Sequence, residues 1–146
     1  KNTSKGRDNF GEATSIVVMI AEIEISKKGR LVINKVDCKI DCGICVNPNQ
    51  VISQAEGGIM MGISMLLNEE ITFENGMVVQ SNYDDYKIAK MKNTPEINIS
   101  IVKSSLPPAG VAEAVVAPVM PAITNAIFAA TGKRIRKLPI GKQKLV

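Results

Sequence analysis

Two long aliphatic runs joined by a short charged turn leave this chain few folds to choose from. Ser15 to Ile25 and Leu31 to Ile40 flank Lys27-Lys28-Gly29-Arg30. Ile16-Val17-Val18-Met19-Ile20 is apolar at every position, which predicts cover on both faces. Beyond it, Ala21, Ile23 and Ile25 alternate with Glu22 and Glu24, which turns one face toward water. In the second run Val32, Val36, Cys38 and Ile40 are expected to share a face. The two runs read as a hairpin of strands.

Asp41-Cys42-Gly43 ends the hairpin, and Asn47-Pro48-Asn49-Gln50 starts a helix. Asn47 suits the N-cap, Pro48 the first helical position, and Gln50 the partner position of a capping box. The spacing predicts a helix to about Leu67, with Ile52, Ala55, Ile59, Ile63 and Leu66 as its core stripe. Gln54, Gly58, Met61 and Met65 fall on another face. Gly57, Gly58 and Gly62 are poor helix formers, each costing about 1 kcal/mol relative to Ala. Something must therefore approach the backbone closely, either a packed neighbour or a ligand.

Further on, Ile71-Thr72-Phe73-Glu74 and Met77-Val78-Val79-Gln80 flank Asn75-Gly76, a strong hairpin-turn signal. Ser81 to Tyr86 is polar and reads as a surface loop. Ile97, Ile99 and Ile101 alternate in another strand. Pro121 suits the first turn of a second helix, Ala122 to Thr131, with Gly132 as its stop. Lys133 to Pro139 reads as a short extended tail, and Lys1 to Gly11 as a loose polar lead-in. The expected class is α+β: a mixed or antiparallel sheet of hairpins packed with two main helices. A length of 146 residues suits one domain with a real core.

Composition removes several functions. Histidine is absent, which excludes His triads, His zinc sites and His pH switches. Aromatics are 3% of the chain, so there are no stacking platforms for single-stranded nucleic acid. The net charge of +4 is mild, with basic residues gathered at the two ends. Such ends are solvated surface or, with weaker support, a nucleic-acid contact; the reading is no nucleic acid. Cys38, Cys42 and Cys45 lack a fourth protein ligand for structural zinc, so no metal site is assigned to them. They read as small, semi-buried residues of a reduced compartment. Val111 to Ala130 is apolar but contains Glu113, Pro118 and Pro121, and is not expected to span a membrane. The start at Lys1, without Met or signal peptide, reads as a piece of a longer polypeptide.

Pro107-Pro108-Ala109-Gly110-Val111-Ala112-Glu113 is the candidate functional segment. Two prolines stiffen its entry. Gly110 permits a backbone conformation or a close approach that a side chain would block. Glu113 is the only ionisable residue from Leu106 to Thr131. It is either an exposed acid near a helix N-terminus, where the dipole favours it, or a carboxylate held in an apolar pocket. In the second case desolvation raises its pKa, as a general base at neutral pH requires.

Six stretches together resemble a known family. They are Asp41-Cys42-Gly43, Val46-Asn47-Pro48, Gln54-Ala55-Glu56-Gly57-Gly58, Gln80 to Tyr86, Gly110-Val111-Ala112-Glu113, and Ala126 to Pro139. Their order resembles the C-terminal end of the molybdenum-binding large subunit of the xanthine dehydrogenase/aldehyde oxidase family, of the isoquinoline 1-oxidoreductase β-subunit type. The resemblance covers about Ile16 to Ile140. It implies that residues 1–146 are one C-terminal subdomain of a molybdopterin-binding subunit, inactive alone. The implied enzyme is a molybdenum hydroxylase that oxidises an N-heteroaromatic or aldehyde C–H with a metal-bound hydroxyl. The implied cofactor is molybdenum–molybdopterin, as the cytosine dinucleotide. Implied partners are the rest of the subunit and a small subunit carrying 2Fe-2S clusters, in bacterial cytoplasm or periplasm. By motif position Glu113 is the base, and Gln54, Gly57, Gly58, Gly110, Val111 and Ala112 face the cofactor. Ala112 stands where the family has glycine. If the backbone there has positive φ, an L-residue strains it by about 1–2 kcal/mol. A non-catalytic binding or assembly module keeping the fold is the competing reading, with Ala112 as its signature.

Overall fold

A computed structural model describes residues 2–7, as backbone, and 15–146. Strands β1 (Asn2–Arg7), β2 (Ile16–Ile25) and β3 (Leu31–Asp41) pair antiparallel in that order. After helix α1 (Pro48–Leu67) comes a small hairpin of β4 (Phe73–Glu74) and β5 (Met77–Val78). Strand β6 (Glu96–Ile101) then lies parallel to β3. The main sheet is mixed, in the order β1-β2-β3-β6, and the fold is α+β.

One face of this sheet is built from aligned cross-strand rows. Val17, Ile40 and Ile101 are in register, as are Met19, Cys38 and Ile99, and Ala21, Val36 and Ile97. Helix α2 (Val116–Thr131) lies over β1 and β2, and α1 packs beside α2 and near β6. The opposite face stays open. Ile16 is 42% exposed, so the run expected to be covered on both faces is fully covered on only one. Asn98 donates to Asp37 and Glu96 on that open face, and Lys35 pairs with Asp37 at 2.9 Å.

Three further expectations on the strands change. Glu22 pairs with Lys35 but Ile23 with Ile33, so Asn34 is an extra residue in β3. Such a bulge shifts the face of every residue beyond it. Ile33 is therefore buried and Val32 is 41% exposed, the reverse of the alternation. The polar opening, expected as a loose lead-in, forms edge strand β1 along residues 2–7, paired with Ile16–Ala21. Residues 1 and 8–11 of that stretch lie outside the described residues. The Asn75-Gly76 turn has positive φ at both positions, as such turns need. Its strands are only two residues each and exposed, because nothing in the described chain covers them.

Helix α1 follows expectation. The Asn47 side chain accepts from the Gln50 N–H at 3.3 Å, without the reciprocal Gln50 bond of a full capping box, and Ala55, Ile59, Ile63 and Leu66 are buried while Ile52 is half-buried. Helix α2 begins earlier than expected. A 3-10 turn, Glu113–Val115, leads into it, and Pro121 lies inside. Pro121 has no N–H for the Ala117 carbonyl, but both residues are exposed, so that carbonyl faces the solvent side. The buried stripe Val119, Ala122, Ile123, Ala126 and Ile127 repeats at helical spacing and outweighs the proline. Glu113–Thr131 is long and apolar enough to cross a membrane by length and composition. Here it is a core helix whose apolar stripe is buried against the sheet and α1. After Gly132 the chain is irregular, not an extended strand, and docks Ile135, Ile140 and Leu145 into the core.

Candidate cofactor site

The segment carrying Glu113 is clamped at several points far apart in sequence. The Ala109 N–H donates to the Cys42 carbonyl at 2.9 Å, and the Ile44 N–H to the Leu106 carbonyl at 2.9 Å. The Ser15 hydroxyl donates to the Gly110 carbonyl at 2.5 Å. Gly43 lets the two turns meet. Its φ is +71°, and a Cβ there would lie 2.1 Å from the Pro107 carbonyl oxygen. The turn after β3 thus forms a seat for Leu106 to Ala109, and the seat fixes where Gly110 to Glu113 emerges.

Helix α1 supplies the other wall. A Cβ at Gly58 would lie 2.5 Å from Val115 Cγ2 and 2.7 Å from the Ala112 carbonyl oxygen. One at Gly62 would lie 2.3 Å from Val119 Cγ1 and 2.6 Å from the Val116 carbonyl oxygen. These glycines exist so that α1 can touch the backbone of the Glu113 segment and of α2. Gly58 is buried, so its missing side chain is accounted for by helix packing and not by an open cofactor face. Gly57 differs: it is exposed, with no described atom within 4 Å of a Cβ. Gln54 lies one turn before Gly58 and is exposed. Both therefore flank the point where α1 meets Ala112.

Gly110 resembles Gly57. It is exposed, its φ is not positive, and a Cβ would meet nothing described within 4 Å. Val111 is half-buried and packs on the core. Ala112 has φ −66° and ψ −56°, ordinary right-handed helical values. The strain expected of an alanine at this motif position is absent. Glu113 is exposed and opens the 3-10 turn that leads into α2. Of three cavities formed by the described residues, none is lined by Glu113. Gln54, Gly57, Gly110, Ala112 and Glu113 are thus all exposed, and the approach of Gly58 to the Ala112 carbonyl joins the helix that carries the first two to the segment that carries the others.

Of the cysteines, Cys42 lies on the turn that seats Ala109 and Cys38 lies within β3. Cys38 and Cys42 are buried and Cys45 is half-buried; all three are free. Burial pushes the Cys38 thiol up to about 11. The Cys42 thiol is also raised, first by burial and then by the neighbouring Cys45. Among the described residues no cluster of His, Cys, Asp or Glu is placed to hold a metal ion. Sequence reasoning missed Ser15 and Gly43. Their roles depend on contacts across the fold; Asp41-Cys42-Gly43 marks Gly43 only as the end of a strand. A separate cavity of about 760 Å3, lined by Arg30, Tyr86, Lys87 and Lys90 among others, contains none of the expected site residues.

Residues 1–95 match the family model of a molybdopterin cofactor-binding domain, and the chain belongs to that family. Among its relatives is the isoquinoline 1-oxidoreductase subunit beta of Brevundimonas diminuta, 34% identical over 125 residues, covering 85% of this chain and 16% of the relative. Another is the xanthine dehydrogenase molybdenum-binding subunit of Escherichia coli O157:H7, 32% identical over 123 residues, covering 80% of this chain and 16% of the relative. The crystal structure of quinoline 2-oxidoreductase from Pseudomonas putida 86 has the same fold, with a TM-score of 0.79 at 24% identity, over 91% of this chain and 18% of that one. The chain spans about a sixth of the length of these curated relatives. The resemblance to the xanthine dehydrogenase and aldehyde oxidase family is thereby established.

Proposed function

We propose that this chain is the C-terminal part of a molybdenum hydroxylase catalytic subunit and forms one wall of its cofactor site. The observation that carries this is the pair of open glycines, Gly57 and Gly110, on either side of Ala112–Glu113. Each costs conformational freedom, and neither is required by packing or φ in the described chain. A group from outside that lies flat on the backbone at both points accounts for them. Molybdopterin fits such a surface. The Gln54 side-chain amide can both donate and accept, and Gly110, where a Cβ would meet nothing described, leaves room for a ring edge. The pterin is proposed as the cytosine dinucleotide.

When bound, the cofactor supplies oxygen transfer and two-electron redox chemistry at the C–H carbon of an N-heteroaromatic or an aldehyde. The chain's own part is to place one carboxylate. The Cys42, Ile44 and Ser15 contacts hold Leu106 to Gly110, and Gly58 holds Ala112, so Glu113 is presented from a fixed base. Its carboxylate takes the proton that the attacking water-derived hydroxyl gives up. The remainder of the subunit and the cofactor would cover the site and shield Glu113 from bulk water. 2Fe-2S clusters on a small partner subunit would carry the electrons away. In isolation the chain is inactive.

The ordinary backbone at Ala112 supports the catalytic reading over a non-catalytic module. Glu113→Gln in the intact enzyme tests the assignment. Turnover should fall by at least ~10²–10⁴-fold, the usual contribution of a positioned base, with molybdenum and pterin content unchanged. Turnover within a few-fold of wild type would remove Glu113 from the mechanism.

A further inference from the structure

Cys42 and Cys45 form a C-x2-C pair on the very turn that seats the Glu113 segment. The Cys42 carbonyl receives the Ala109 N–H, Gly43 lies under the Leu106 and Pro107 carbonyls, and the Ile44 N–H donates to Leu106. All three residues of the seat thus lie within the span that a Cys42–Cys45 bond would close. The two thiols are free and sit three residues apart on one turn, near enough that the charge of Cys45 bears on the Cys42 thiol. They differ in access. Cys42 is 2% exposed, whereas Cys45 is half-buried and lines a cavity of about 490 Å3 with Gly43, Ile44, Pro48, Ile101, Val102, Lys103 and Ser104. Cys38 is no third member: it lies within β3, in register with Met19 and Ile99 under the helices.

We propose that Cys42 and Cys45 are a thiol–disulfide site whose oxidation stiffens the seat of the Glu113 segment. The oxidant is a low-molecular-weight disulfide of the glutathione type, entering through the cavity beside Cys45. The Cys45 thiol gives up its proton and its sulfur attacks one sulfur of the oxidant. A Cys45 mixed disulfide forms, and one small thiol leaves with a proton. The Cys42 thiol then gives up its proton and attacks the Cys45 sulfur, releasing the second small thiol. Two protein thiols are oxidised by two electrons, and one small disulfide is reduced to two thiols. Lys103 on the cavity wall favours an anionic oxidant. This goes beyond the proposed function: bond formation and loop stiffening do not depend on which reaction Glu113 serves.

The test is incubation of the intact protein with reduced and oxidised glutathione at graded ratios, followed by peptide mass mapping and amide exchange. The expected product in the wild type is a Cys42–Cys45 disulfide, with slower exchange of the Ile44 and Ala109 amides. In Cys42→Ser the reaction should stop with one glutathione on Cys45; in Cys45→Ser neither product should form. Thermal melting checks that each variant folds, and the exposed-side variant Cys45→Ser carries the test if Cys42→Ser does not. Three results would overturn the proposal: no wild-type disulfide at the most oxidising ratio, a disulfide in Cys45→Ser between Cys38 and Cys42, or a disulfide at 42–45 with unchanged exchange at Ile44 and Ala109.

Discussion

Gly57 and Gly58 are neighbours in sequence and opposites in environment. Gly58 lies against the Ala112 carbonyl and the Val115 side chain, and a single added carbon has no room. Gly57 faces open space, and an added carbon would touch nothing described. One hundred degrees of helix rotation separates a glycine that the fold needs from one that the fold does not explain. The same contrast recurs in the opposite wall, between Gly43, crowded by Pro107, and Gly110, left open. Packed glycines assemble the site's support. On the proposed reading, the open ones mark where the support meets a group the chain does not itself contain.

The sharpest attack on this contrast is at Gly43. Alanine there must adopt positive φ and displace the Pro107 carbonyl, which is backbone and cannot rotate away. We expect a loss of at least ~3 kcal/mol of stability, combining backbone strain with overpacking, read as a lowered denaturation midpoint. Gly58→Ala should cost about 1–3 kcal/mol by overpacking, reduced by the better helix propensity of alanine. A neutral Gly58→Ala would show that the contact with Ala112 does not fix the segment. Gly57→Ala should act in the opposite direction, raising stability by up to ~1 kcal/mol through helix propensity while lowering the molybdenum and pterin content of the intact protein. Destabilisation at Gly57 would break the contrast. A smaller effect concerns pH. Burial raises the Cys38 thiol from its ordinary value of 9.0 to about 11. The folded chain keeps a proton that the unfolded chain releases, so this contribution is complete below about pH 9 and is lost as pH rises toward 11. Cys38→Val should flatten that part of the stability curve relative to wild type.

These contrasts also show what a sequence can disclose. Helix α1 is legible from end to end, because its cap, its proline and its apolar stripe are all local signals. Strands β2 and β3 are legible as strands, but the bulge at Asn34 is not, and one inserted residue exchanges Val32 for Ile33 on the core face. Strand β1 escapes because Asn2 to Arg7 carries no apolar alternation; backbone pairing with β2 places it. Pro121 misleads on α2, since the proline rule is local and the buried stripe that overrides it is tertiary. At the site, Glu113 and the glycines of α1 stand out by composition alone. Which glycine is packed and which is open does not, because the answer lies with Ala112, Val115 and Pro107, at least forty residues away in sequence. The hydroxyl of Ser15 reaches Gly110 across 95 residues. No spacing rule spans that distance.

The most direct test is amide exchange on the intact protein with its cofactor bound and after its removal. Protection should rise on binding at residues 54–58 and 110–113, and stay constant in the β2–β3 turn at residues 26–30. Equal exchange at 54–58 and 110–113 in the two states would contradict the assignment of this surface to the cofactor, whatever happens to turnover.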